Sequence, residues 1–233
     1  MKLFKIALAF LVLLVNLVIA QPSWADRPKL TQTPEYTEVT QALNNLLNPQ
    51  ENSEEASYTA EETQQKLGAL QLQKYILETA AHWGQCRNET GKTLAVYAHK
   101  PKKSNSDVST LYYLGDGKVT DNDWNCDGVY LPSGVQVAGL AFGDTQGQQL
   151  TEPVALKIVS GTQLVAKTNP ETGAIELSVP PAQVFKTGEG NWAIPALSSA
   201  DIEAQTPNAP LMIKFHTTKL FCVFFRCHVV GET

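Results

Sequence analysis

Apolar positions along this chain change period several times, and each change marks an element. Residues 6–20, "IALAFLVLLVNLVIA", form a continuous apolar run broken only by Asn16. Tyr36, Val39, Leu43, Leu46 and Leu47 then recur at helical spacing behind Pro34, a residue suited to a first turn, and predict a short amphipathic helix. The stretch "NPQENSEEASYT" has almost no apolar content and predicts a mobile link. A second helix opens at Thr59, where Glu62 three residues on completes a capping box. Leu67, Leu70, Ile76, Leu77, Ala80, Ala81 and Trp83 carry it to Gly84, a natural stop.

Beyond Gly84 the pattern becomes that of strands. The segments 92–99, 109–115, 135–143, 153–160, 163–168, 173–179, 210–217 and 220–230 are rich in β-branched and aromatic residues, with Gly, Pro, Asn and Asp clusters between them. "TNPETG" is a hairpin loop in which Gly173 can take positive φ. "VALKI" and "AIEL" alternate as half-buried strands do. "SSADIEAQTPNAP" reads as a surface excursion with a short helical turn. The expected fold class is α+β: two N-terminal helices followed by a mostly antiparallel β-sheet body, as a sandwich or a barrel.

The first apolar run has the layout of a secretory signal peptide. Lys2 and Lys5 precede it, and Ser23-Trp24-Ala25 supplies a small-x-small cleavage site before Asp26. It is shorter than the roughly 20 residues a full hydrocarbon span needs, and no later stretch is long enough to span a bilayer. The expected organisation is a signal peptide at 1–25, an arm at 26–58 comprising the short helix and the link, and a helix-plus-β body at 59–233. A weak sub-boundary falls near 143–153. The expected location is a periplasm, an equivalent lumen or the extracellular space.

Charge adds a distinction between arm and body. The chain carries a formal charge of −5. From Thr31 to Gln65 every charged residue is a glutamate, whereas cations and anions nearly balance from Lys66 onward. The basic cluster Lys100, Lys102 and Lys103 is too small for the broad positive footprint that nucleic-acid binding requires.

Motifs for chemistry are few. "GKT" at 91–93 lacks the glycine a phosphate-binding loop needs five residues earlier, where Cys86 stands. The chain contains no G-x-S-x-G, H-E-x-x-H or G-x-G-x-x-G motif. His82 and Cys86 have the i, i+4 spacing of helical metal ligands, but a helix-terminal histidine and a disulfide cysteine account for them better. "DNDWNCDG" begins like a calcium loop, with Asp121, Asp123, Asn125 and Asp127 as oxygen donors and Gly128 at the sharp turn. Position twelve is Gly134 rather than the bidentate glutamate, so the stretch reads first as a turn with a structural cysteine. Calcium is the one cofactor the chain suggests; otherwise none is expected.

The four cysteines, Cys86, Cys126, Cys222 and Cys227, favour disulfides in an exported chain. The expected pairs are Cys86 with Cys126 and Cys222 with Cys227. The second pair requires residues 223–226 to curl, which would push Phe224 or Phe225 outward as a contact tip for a partner or a membrane surface. The functional expectation is an exported, non-catalytic binding or assembly protein that meets another protein through the N-terminal arm or an apolar patch. The alternatives are a secreted hydrolase with a non-contiguous site, for which His99 and Asp116 are the first pair to inspect, and a calcium-stabilised surface module.

Overall fold

A computed structural model describes residues 28–48, 58–101, 109–142, 146–189, 192–205 and 207. The signal-peptide segment, residues 49–57 of the link, the strands expected at 210–217 and 220–230, Cys222, Cys227, Phe224 and Phe225 all lie outside the described residues.

Both predicted helices form. Helix α1 spans Pro34–Leu47, with Pro34 in the first turn and the Thr33 hydroxyl accepting from the Tyr36 amide. Helix α2 spans Ala60–Thr79 behind the Thr59–Glu62 capping box. It stops earlier than the expected end at Gly84, because Ala80 leaves the helical region with ψ 125°. Tertiary bonds claim the next residues: the Gly84 amide donates to Asn125 Oδ1 at 2.8 Å, and the Gly84 carbonyl accepts from the Cys126 amide at 2.8 Å. His82 and Cys86 therefore share no helix, and Cys86 is engaged in a disulfide.

Among the described residues, the body contains two five-stranded sheets and no closed barrel. Strands β1 (Gln85–Glu89), β8 (Gln163–Thr168), β9 (Ile175–Leu177), β5 (Gln136–Ala138) and β6 (Gln148–Gln149) form one sheet in that spatial order. The other runs β10 (Gln183–Lys186), β7 (Val154–Lys157), β4 (Asn125–Leu131), β2 (Leu94–His99) and β3 (Thr110–Leu114), with every pairing antiparallel. The first sheet mixes in two parallel pairs, β1 with β8 and β5 with β9. Both sheets take strands from each side of the 143–153 stretch.

The sheets share one apolar cluster, to which Cys86, Val137, Leu164 and Ala166 contribute from the first and Val96, Val129, Leu131 and Leu156 from the second. The disulfide Cys86–Cys126 links β1 to β4 through this cluster, with both cysteines buried. The outer face of the second sheet is covered too: Ala95, Tyr97, Tyr130 and Ala155 pack beneath Trp192, Ile194, Leu197 and Ile202. Ile202 sits in the short helix α3 (Ser199–Glu203), so the expected surface excursion is in part a cover. Burial on both faces explains why "VALK" is buried from Val154 to Leu156 rather than alternating.

The arm helix does not stand apart. Leu30 and Val39 bury with Leu70 and Leu77 of α2 and with Val159 of the body, while Tyr36, Leu43 and Leu46 pack around them. The apolar face assigned to partner recognition is largely occupied within the chain.

Candidate functional site

Strand β4 occupies the centre of the second sheet, although its sequence, "NCDGVYL", reads as a turn. All seven residues are buried. Only Asp121–Trp124, just before it, retain the expected turn. Gly128 lies within the strand, where an added Cβ would stand 2.1 Å from the Leu156 carbonyl oxygen and 2.9 Å from the Trp192 ring. The glycine thus permits close approach of β7 and Trp192 rather than a sharp turn.

An irregularity in this strand builds the site. Tyr97 pairs with Gly128 and Ala98 with Cys126, so Asp127 is the extra residue of a β-bulge. A bulge re-aims its side chain and interrupts the ladder. Here Asp127 has no register partner in β2, its carbonyl accepts from the Ile158 amide at 2.8 Å, and its carboxylate meets the end of β2. Asp127 Oδ2 lies 2.6 Å from His99 Nδ1 and accepts from Ser109 Oγ at 2.8 Å; Asp127 Oδ1 accepts from Asn125 Nδ2 at 2.7 Å. The side chains of His99 and Asp127 are 17% and 12% exposed, sheltered but open to one cleft. A carboxylate at Nδ1 fixes the ring orientation and holds the proton on that nitrogen.

The network continues to the arm. Asn125 Nδ2 also lies 3.3 Å from Ser160 Oγ, and the Ser160 amide donates to Glu35 Oε2 at 3.1 Å. Glu35 Oε1 faces Lys157 Nζ at 3.7 Å. Helix α1 therefore brings a carboxylate from the first turn of the arm to a loop beyond β7. The resulting cleft has a volume of about 420 Å³, and its walls include Trp83, Trp192 and Glu38. Trp192 is steadied by Tyr97 and Phe185, whose ring centroids lie 4.5 and 5.7 Å away.

The candidate residues read from sequence are distributed differently. Asp116 lies beyond β3 beside the start of β2, where its carboxylate accepts from the Gly91 amide at 2.8 Å. Leu94 faces Leu114 while Ala98 faces Thr110, so the antiparallel register places His99 at the opposite end of β2. His99 and Asp116 are not neighbours; His99 instead lies against Asp127, at 2.6 Å. The four calcium candidates do not converge either. Asp121 accepts from the Asn122 amide at 3.1 Å, Asp123 pairs with Lys100 at 2.6 Å, and Asn125 and Asp127 bond each other inside a strand. Among the described residues, no three His, Cys, Asp or Glu side chains gather as a metal-binding group.

A larger cleft, about 520 Å³, opens near the start of β2 between Lys92, Gln136, Thr172 and Glu203. Its two charges pair with each other at 3.1 Å, and the buried tyrosine in its lining, Tyr130, directs its hydroxyl to the Pro195 and Leu197 carbonyls, each at 2.8 Å. By chemistry the smaller cleft is the better candidate site. Among the described residues no helix is long and apolar enough to cross a membrane.

Sequence reasoning missed Glu35, Lys157, Ser109, Ser160, Trp83 and Trp192 as parts of one site, because they come from five separate segments. The one usable signal was "NCDGV" itself: two polar side chains two residues apart, just ahead of an apolar strand. No family model matches this chain, and neither a curated protein nor a solved structure is detectably similar to it.

Proposed function

We propose that this is an exported, non-catalytic binding protein whose ligand site is the cleft between helix α1 and the end of the second sheet. The observation that carries the proposal is the convergence of Asp127, His99, Glu35 and Lys157 between Trp83 and Trp192 in one cleft of about 420 Å³. That volume falls within the roughly 300–1,000 Å³ range of small-molecule sites. Export is supported by the N-terminal pattern, and a disulfide is compatible with it without fixing the compartment. The partner is here a small polar ligand rather than a protein held by the arm, since α1 packs its apolar face on α2 and the body.

A chemically diverse library of polar small molecules, titrated against the chain with tryptophan fluorescence and thermal shift as readouts, tests this. Ligands that raise the melting temperature should lose that effect in Asp127→Asn and Lys157→Met. Stabilisation that survives both substitutions, or none across the library, would remove the cleft as the site.

One observation favours a second reading, a hydrolase. His99 oriented through Nδ1 by a buried carboxylate is the geometry of a general base. The Ser109 hydroxyl bonds Asp127 rather than the imidazole, so it is not placed as the nucleophile of such a unit. Turnover of an ester or amide panel that is abolished by His99→Gln, with binding retained, would establish the hydrolase and refute the non-catalytic reading.

A further inference from the structure

The cleft's donors and acceptors also bear on the class of ligand, and this inference rests on the binding reading above. Asp127, Glu35 and Glu38 offer acceptors, whereas Lys157 and Ser160 offer donors, all within one cavity. Two of the three carboxylates are already engaged inside the cleft: Glu35 faces Lys157 at 3.7 Å and accepts from the Ser160 amide at 3.1 Å, and Asp127 lies 2.6 Å from His99 Nδ1 and accepts from Ser109 and Asn125. An anion entering would meet three carboxylates. A cation would meet Lys157 and would compete with pairs already made. A hydroxyl group both donates and accepts, so several hydroxyls on an uncharged frame can use both kinds of group without disturbing either pair.

The tryptophans complete the pattern. Trp83 and Trp192 are each half-buried and line the cleft, and Trp192 is fixed by Tyr97 and Phe185. An indole face carries negative quadrupolar charge and attracts weakly positive C–H groups as well as apolar surface. A ring with hydroxyls at its rim and C–H bonds on its faces matches aromatic walls and a polar floor together. We infer that the ligand of this cleft is a neutral saccharide of a few residues.

The test uses the full chain and three chemically related trimers: chitotriose, which is neutral, glucosamine trimer, which is cationic, and trigalacturonate, which is anionic. Cellotriose and maltotriose serve as further neutral probes. Binding is followed by calorimetry and by tryptophan fluorescence. The expected result is that at least one neutral trimer binds, that the charged trimers bind at least tenfold more weakly, and that Trp83→Ala and Lys157→Met each weaken the neutral trimer about tenfold, a loss of about 1.4 kcal/mol. Lys157→Met, at a partly exposed position, controls for loss of folding in the tryptophan variant.

Preferential binding of a charged trimer that the two substitutions abolish would overturn the neutral-saccharide inference and leave the cleft standing as a site. Saccharide binding indifferent to both substitutions would overturn the cleft itself. No response to any saccharide, alongside a library ligand lost in Asp127→Asn, would overturn the saccharide class alone.

Discussion

Replacing both Cys86 and Cys126 by alanine removes the covalent tie between the two sheets. The bond spans 40 residues of sequence and joins β1 to β4. In the chain-entropy account a closed loop of that size restricts the unfolded ensemble by about 4 kcal/mol at 25 °C. Both cysteines are also essentially inaccessible, at 1% and 0% exposure, so the alanine pair leaves unfilled space in the shared apolar cluster. The double variant should therefore lose at least the entropic amount, a large part of the roughly 5–15 kcal/mol that stabilises a typical domain. Equilibrium urea unfolding followed by tryptophan fluorescence measures the loss. With a slope of about 2 kcal/mol/M the midpoint should fall by about 2 M. A fall below about 0.5 M, equivalent to about 1 kcal/mol at that slope, would refute the reasoning, since the bond would then restrain little in the unfolded chain. The same burial makes a second demand. Under native conditions a thiol reductant should open this disulfide only as fast as the protein itself opens, and complete alkylation of both cysteines within the dead time of mixing would contradict the buried placement.

Three further outcomes follow from particular residues. Gly128→Ala would force a Cβ to within 2.1 Å of the Leu156 carbonyl, so β4 and β7 must separate; a loss of at least about 3 kcal/mol, or failure to fold, is expected in the same urea assay. Leu30→Ala removes a side chain that is 2% exposed and packed against α2 and Val159, and should cost about 2–5 kcal/mol, whereas an unpacked arm would show almost no change. Glu62, held below its ordinary value of 4.5 by the Thr59 amide and hydroxyl, stabilises the start of α2 above the unfolded carboxylate pKa and loses that effect as pH falls through its lower folded value; the protection of the first-turn amides of α2, taken relative to their intrinsic exchange rates at each pH, should fall at acid pH, and Glu62→Ala should remove that pH dependence.

Local chemistry made a good part of the architecture legible in the sequence. Thr33-Pro34 and the Thr59–Glu62 box fix helix starts through contacts three residues apart, and both helices begin where expected. The 163–168 strand formed at the expected bounds, and the loop that follows turns at Gly173 with φ 71°. The pairing of Cys86 with Cys126 formed as expected, although it ties strand β1 to the central strand β4 rather than a helix end to a turn. The helix end at Thr79, the short β5 and the buried strand β4 were not legible. Gly139, at φ 79°, turns the chain away after Ala138, which cuts the expected 135–143 strand short.

What the sequence determined by itself is therefore the set of features whose energy is local: helix caps, the turn at Gly173 and the even spread of charge along the body. Tertiary structure alone decided that "NCDGVYL" is a central strand. Asn125 and Asp127 favour turns by bonding their own backbone, but here their side chains are satisfied by Gly84, His99, Ser109 and Ser160 from other segments. Once those partners are supplied, the polar side chains no longer oppose burial, and the missing Cβ of Gly128 lets β7 close against the strand. The site arises in the same way. Its carboxylates, imidazole and indoles lie in segments as far apart as Glu35 and Trp192, and no local pattern couples them; packing α1 against α2 and the loop after β7, and the 192–197 segment onto the second sheet, is what brings them to one cleft.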